Sequence, residues 1–523
     1  MISSQKELLA SLRAAWREIS DLESTLAILD WDQSTYMPPK GAPQRGRQMA
    51  FLGRLLHERR TSPALGECLA GLRRVEEQLA PEERAMLRAA TRDYERAIRL
   101  PSDFVAESKE HFAASYVAWT EAKARSDFEA LRPYLEKTVE LSRRFSDYYP
   151  ESAAFADPLI DEADPGMSHA KLLPLFERLR PALRNLSAAI QRRPAPGDAF
   201  LQGDFPMPQQ RSLGESIVRA LGYDFERGRQ DETHHPFMTR FSSQDVRITT
   251  RFDERNLTQA LFSTIHEAGH AMYEQGIAEE YDATPLGRGT SSGVHESQSR
   301  LWENMVGRSL PFWRAFYPKV QAYFPAAFGE VVLEDFHRAV NKVASSLIRT
   351  DADEVTYNLH VMIRFELASR LLSGDLRAAE LPEAWAEAYG RDLGVRPADA
   401  REGCLQDVHW FAGPIGGAFQ SYTLGNMMAA QFFEAAQREG AVAEALAAGE
   451  FGPLHAWLKT QVYRFGATYE PEELLKRATG TSLSTEPFLR YLRDKYLPLY
   501  GLDESAFAGA GPTPEAGKPE GPP

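Results

Sequence analysis

Apolar residues near the start of the chain fall at Leu8, Leu12, Trp16, Ile19, Leu22, Leu26 and Leu29, steps of three and four that line one stripe of a helix. The stripe ends at Tyr36-Met37-Pro38-Pro39-Lys40-Gly41-Ala42-Pro43, where proline removes backbone donors and fixes φ. The same periodicity predicts helices over about 44–60, 81–99, 103–126, 128–148 and 168–192. Only Asp245 to Phe252 alternates with period two, Val246, Ile248, Thr250 and Phe252 sharing one face and Arg247, Thr249 and Arg251 the other, which predicts a strand. Helices resume over about 256–276, 296–309, 311–318, 329–349, 353–374, 382–391, 416–437, 442–448 and 453–464, with shorter ones near 471–478 and 485–493. The expectation is a mainly α chain with one small antiparallel β-sheet. No linker divides it, so 1–507 is read as one helical domain with room for a two-lobed cleft. The Gly-, Pro- and Ala-rich stretch 508–523 is read as a disordered tail.

With 523 residues, 43% of them hydrophobic and 26% charged, the chain has material for a large core and a soluble surface. The formal net charge of −14 argues against partners that need a basic surface, so neither nucleic acid nor an anionic membrane is expected. No apolar run approaches the roughly 18 residues of a membrane span. The charged N-terminus lacks the pattern of a secretory signal, and two cysteines, Cys68 and Cys404, cannot make a disulfide framework; a reducing, cytoplasmic location is expected.

Five of the twelve histidines lie between positions 234 and 295, and two of them form His266-Glu267-Ala268-Gly269-His270, an HExxH motif on a predicted helix. Residues four apart stand on one ridge, so both imidazoles can meet one metal ion while Glu267 flanks it, placed as a general base toward the water that the metal activates. The surrounding Leu257, Leu261, Phe262 and Ile265 predict a buried helix, where two histidines and a glutamate need a partner. Zinc hydrolases commonly use three protein ligands, and Glu296, 26 residues after His270, is the preferred third. His295 competes for that role, but neighbours on a helix point about 100° apart, so one of the two is expected to coordinate.

These blocks resemble the carboxypeptidase Taq family of metallocarboxypeptidases, helical enzymes with a deep cleft related to the neurolysin and angiotensin-converting-enzyme group. The resemblance is carried by Asp245-Val246-Arg247-Ile248-Thr249, the HExxH block, His295-Glu296-Ser297-Gln298-Ser299, Ile348-Arg349-Thr350-Asp351-Ala352-Asp353 and Gly403-Cys404-Leu405-Gln406-Asp407-Val408-His409-Trp410. Asp30-Trp31-Asp32 followed by Met37-Pro38 also fits. It implies a metal-dependent carboxypeptidase acting on peptides with a free C-terminal carboxylate, with zinc, or alternatively cobalt, as the single ion and a homodimer as the assembly. It further implies Arg349 as the clamp for that carboxylate, against the alternative of a salt bridge to Asp351 or Asp353, and His409 and Tyr422 as oxyanion donors. An oligoendopeptidase with the same metal chemistry is the rival reading, and a scaffold with a structural metal is the third.

Gly289-Thr290-Ser291-Ser292-Gly293 spells the GxSxG of a nucleophile elbow, but no strand precedes it, so a flexible loop beside the cleft is expected. His234-His235 before Pro236 reads as an exposed turn. An extended peptide adding to the edge of the 245–252 strand is a further expectation.

Overall fold

The computed structural model describes residues 4–507, and the tail read as disordered lies outside them. The chain is mainly α, and five helices with one three-stranded sheet position the site: α1 (Gln5–Thr35), α2 (Leu257–Gly276), α3 (Ser292–Arg300), α4 (Tyr357–Ser373) and α5 (Gln420–Gln437).

Helix α1 starts at a reciprocal cap in which the Glu7 amide donates to Ser4 Oγ at 3.3 Å and the Ser4 amide to Glu7 Oε2 at 2.7 Å. Leu12, Trp16 and Ile19 of the predicted stripe are buried, in a satellite core with Leu65, Leu69 and Leu72. Leu22, Leu26 and Leu29 are half-buried, because this part of α1 lies along the sheet instead, where Ser24 Oγ donates to the Phe241 carbonyl at 2.7 Å.

The strands are β1 (Gln230–Glu232), β2 (Met238–Ser242) and β3 (Asp245–Thr250), in the order β1-β3-β2. β2 pairs antiparallel with β3, but β1 pairs parallel to it, so the sheet is mixed rather than wholly antiparallel. The extended link 233–237 carries the chain from β1 to β2, which then turns tightly into β3; only the last connection is a hairpin. β3 is therefore the central strand, with its main-chain groups committed on both sides. The expectation that a substrate adds to it fails for that reason.

Among the described residues four helices escape the periodicity reading, Pro63–Arg73, Asp157–Ala163, Met207–Leu221 and the four-residue Pro325–Phe328, and one predicted helix is much overextended. The predicted 329–349 helix is Leu333–Val340 only. Beyond it the backbone donors turn to side chains: the Val343 amide donates to Tyr500 Oη at 2.9 Å and the Ala344 amide to Asp353 Oδ2 at 3.1 Å. One continuous core runs from Ala122 to Phe507 and contains the apolar side chains of α2, a helix buried nearly all round. Among the described residues no helix is long and apolar enough to cross a membrane, and both cysteines are buried and unpaired.

Candidate metal centre and substrate clamp

Asn256 caps α2, its side-chain oxygen accepting from the amides of Thr258 and Gln259 at 2.9 and 3.3 Å. His266 and His270 then project from one ridge, as their spacing requires. Ser291 caps α3 in the same way through the Val294 amide, 3.1 Å, and brings Glu296 opposite them. The two helices cross at Gly269, where a Cβ would lie 2.7 Å from both the Gln298 carbonyl oxygen and Ser299 Cα, so only glycine permits the approach. One donor atom from each of His266, His270 and Glu296 lies within 4.8 Å of the others. Glu296 Oε2 is 3.7 Å from His266 Nε2 and 3.5 Å from His270 Nε2. Two imidazole nitrogens and a carboxylate oxygen converging this way could hold one divalent ion, and the chemistry of the set suits zinc.

The outer nitrogens of the two histidines are engaged differently. His266 Nδ1 meets Glu303 Oε2 at 2.9 Å, whereas His270 Nδ1 meets His295 Nδ1 at 2.6 Å. Burial disfavours protonation at both; Glu296 and the Glu303 carboxylate reverse the balance at His266 and raise its pKa, but His270, with an imidazole as neighbour, is pushed down to about 4. Burial also opposes ionisation of Glu296, yet Arg300 first, then His266 and His270, hold its carboxyl well below the usual range. Arg300 Nε lies 2.6 Å from Glu296 Oε1, and its guanidinium also reaches Glu303 at 3.4 Å. Glu303 sits in a π-helical turn, Leu301–Val306, that continues α3.

Glu267 is only 7% exposed and makes no hydrogen bond to another described residue. Burial pushes its carboxyl up to about 7, against the opposing charge of His266. A carboxyl with no partner among the described residues and a pKa near neutrality is chemically suited to accept a proton and return it.

A second group of side chains gathers around Arg349. Its guanidinium stands 5.9 Å from the Tyr357 ring, 5.2 Å from Phe419 and 5.3 Å from Tyr422, and donates to Tyr357 Oη at 3.1 Å. It forms no salt bridge with a described residue: Asp353 is occupied as a cap, accepting from the amides of Val355 and Thr356 at 2.9 and 3.0 Å. A desolvated guanidinium without a carboxylate is poised for an external anion. Tyr357 also carries Arg300 over its ring at 4.3 Å, so one aromatic ring touches both Arg349 and the guanidinium bound to Glu296. His409 Nδ1 is 2.7 Å from Asp407 Oδ1, and Asp407 in turn accepts from Arg364 Nε at 2.5 Å. With Nδ1 so engaged, the Nε2 side of His409 is the available one, and the side chain is 40% exposed. Tyr422 is held in its protonated form, its pKa pushed up to about 12, by burial above all. His234 and His235 occupy an exposed bend, as expected, but His235 lies within electrostatic reach of His409 and Arg349: desolvation first, then those two charges, lower its pKa.

The family model for "Carboxypeptidase Taq (M32) metallopeptidase" matches residues 11–496. The chain belongs to the carboxypeptidase Taq (M32) family. Thermostable carboxypeptidase 1 of Thermus thermophilus is 43% identical over 499 residues, covering 93% of this chain and 97% of that protein. Carboxypeptidase 1 of Bacillus subtilis is 37% identical, with 93% and 97% covered. The crystal structure of an M32 carboxypeptidase from Deinococcus radiodurans R1 superposes with a TM-score of 0.92 at 47% identity, covering 95% of this chain and all of that one. The chain is accordingly a metal-dependent carboxypeptidase, a peptide hydrolase.

In this M32 chain the residues expected from sequence come together in two neighbouring groups, with His266, His270, Glu296 and Glu267 in one and Arg349, His409 and Tyr422 in the other. His295 stands behind His270 instead of beside Glu296 in the donor set. Sequence reasoning missed Glu274, Arg300, Glu303, Tyr357 and Asp407. A signal existed for several: Glu274 continues the 266–270 ridge by one more turn, and Arg300 and Glu303 fall four and seven residues after Glu296 on the same face.

Proposed function

We propose that this M32 carboxypeptidase holds one zinc ion, or cobalt in its place, on His266, His270 and Glu296, and removes C-terminal residues from peptides with Glu267 moving the proton. The observation that carries the reading is the convergence of the three donor atoms within 4.8 Å, beside a buried carboxyl whose pKa is pushed up to about 7. A divalent ion bound there would supply Lewis acidity, lowering the pKa of water and polarising the scissile carbonyl. Glu267 is placed to take a proton from the attacking water and to deliver it to the leaving amine. Arg349 receives the terminal carboxylate as a planar fork, steadied by Tyr357 and the rings around it. His409, oriented by Asp407, and protonated Tyr422 supply donors for the developing oxyanion. The enzyme is read as one catalytic body over 1–507, working as a homodimer in the cytoplasm.

Exopeptidase action is tested by one comparison. For the wild type, amidating the C-terminus of a peptide should remove most activity; for Arg349→Met, the free-acid peptide should show KM raised about 10- to 100-fold, as loss of a charge-assisted clamp implies, and little further effect of amidation. An oligoendopeptidase would cleave both peptides alike, and that result would contradict the proposal.

A further inference from the structure

The segment Gly289-Thr290-Ser291-Ser292-Gly293 is not a loose loop. It is pinned to both sides: the Gly289 amide donates to Glu274 Oε1 at 3.0 Å, Thr290 Oγ1 to the Tyr469 carbonyl at 2.6 Å, and the Gly293 amide to Asp164 Oδ1 at 2.7 Å. Beneath it runs a chain of contacts leading to His270. Arg240 Nε lies 3.0 Å from Glu274 Oε2, Glu274 Oε1 lies 3.0 Å from His295 Nε2, and His295 Nδ1 lies 2.6 Å from His270 Nδ1. The outer end is anchored in turn, since Arg240 on β2 also pairs with Asp282, which accepts from Ser243 Oγ at 2.6 Å.

We propose that Glu274 and His295 are positioning residues that fix the tautomer and ring plane of His270, with the Gly289 amide and Arg240 locking the outer carboxylate. The proposal rests on the reading of His270 as a metal ligand. Its logic is proton counting. A carboxylate oxygen of Glu274 accepts, so His295 presents a hydrogen on Nε2 to it; in that tautomer Nδ1 accepts, and the single hydrogen of the 2.6 Å contact comes from His270 Nδ1. That leaves the lone pair of His270 Nε2 directed at Glu296 and the ion site. His266 achieves the same with one carboxylate, Glu303, whereas His270 does so through an intervening imidazole. The ring plane of His295 is set by packing, with the His270 ring at 4.7 Å and the Tyr273 ring at 5.3 Å between centroids. Gly289 closes over this stack: a Cβ there would come within 2.8 Å of His295 Cδ2 and 2.9 Å of Tyr273. The letters GxSxG thus have a physical reason unconnected with a serine nucleophile. Gly289 covers the relay, Ser291 caps α3, and Gly293 meets Asp164.

The test uses cobalt(II) titrated into the full-length apoenzyme of four variants, reading both affinity and the visible absorption of the bound ion. Glu274→Gln and His295→Gln should each weaken cobalt about 10- to 100-fold and shift the absorption bands, while circular dichroism stays native. The Glu274→Gln/His295→Gln double variant should be no worse than the poorer single one, because both changes break one path. His270→Ala serves as reference. If it keeps wild-type cobalt affinity, the ligand reading itself fails; if it loses cobalt while both folded single variants keep native affinity and spectrum, or if their effects add fully, the relay is overturned. The two single variants cut the relay at different links, so should one not fold, the other still decides between these outcomes.

Discussion

At the scale of single residues, the two histidines of HExxH differ because their outer partners differ. His266 leans on Glu303, a carboxyl that Arg300 and the hydrogen bond to His266 hold down at about 2 despite its burial. Replacing Glu303 by Gln removes charge while keeping shape, and should weaken zinc about 10- to 100-fold, measured by competition with a chelator, with a smaller loss of kcat at saturating zinc. Undiminished affinity would assign Glu303 to packing alone. The pairing of His266 with His270 on one ridge, which the proposed ion site uses, was legible in sequence because four-residue spacing on a helix is a local property. Asp407 and Tyr357 were not, since a carboxylate or phenol becomes informative only through what stands opposite it. The competition between His295 and Glu296 could be narrowed to one coordinating residue by angle, but the other's place behind His270 depends on how closely α2 and α3 cross.

At the scale of elements, that crossing is the decisive contact. Gly269→Ala adds a Cβ 2.7 Å from backbone atoms of Gln298 and Ser299, which cannot rotate away, so the helices must separate. The expected outcome is a loss of about 1–3 kcal/mol in stability together with markedly weaker zinc binding, although every donor is still present; thermal melts and a zinc titration of the same variant check both. Retained affinity would mean that the donor set tolerates a wider crossing. Periodicity read most long helices correctly, α1 and α2 among them. It failed over 341–349, where apolar residues recur but the amides of Val343 and Ala344 go to Tyr500 and Asp353 rather than to a helix. It also missed β1 and β2, short strands whose partners lie on β3 and whose own sequences carry little alternation.

At the scale of the whole molecule, burial of neutral imidazole couples the fold to pH. His360 on α4 is 1% exposed, and burial above all, with Arg349 adding to it, brings its pKa down to about 3. In the unfolded chain it titrates near 6.5, so its contribution is fully present above that pH and is lost as pH falls from about 6.5 toward 3, where only the unfolded chain takes up the proton. His360→Gln should therefore make stability less dependent on pH by about 1.4 kcal/mol per pH unit between about pH 6 and 4.5, read from urea unfolding of both proteins; parallel curves would contradict this.

Two functions assigned to one helix, gripping an ion and moving a proton, separate in the Glu267→Gln enzyme, which keeps His266, His270 and Glu296 and loses only the base. The most direct test is to measure zinc content and hydrolysis of a free-acid peptide on the same preparation of that variant. The variant should carry one zinc per chain, the same content expected of the wild type, with kcat lower by about 10²- to 10⁴-fold. Wild-type turnover by the variant, or a wild-type enzyme that hydrolyses the peptide with all metal stripped away, would contradict it.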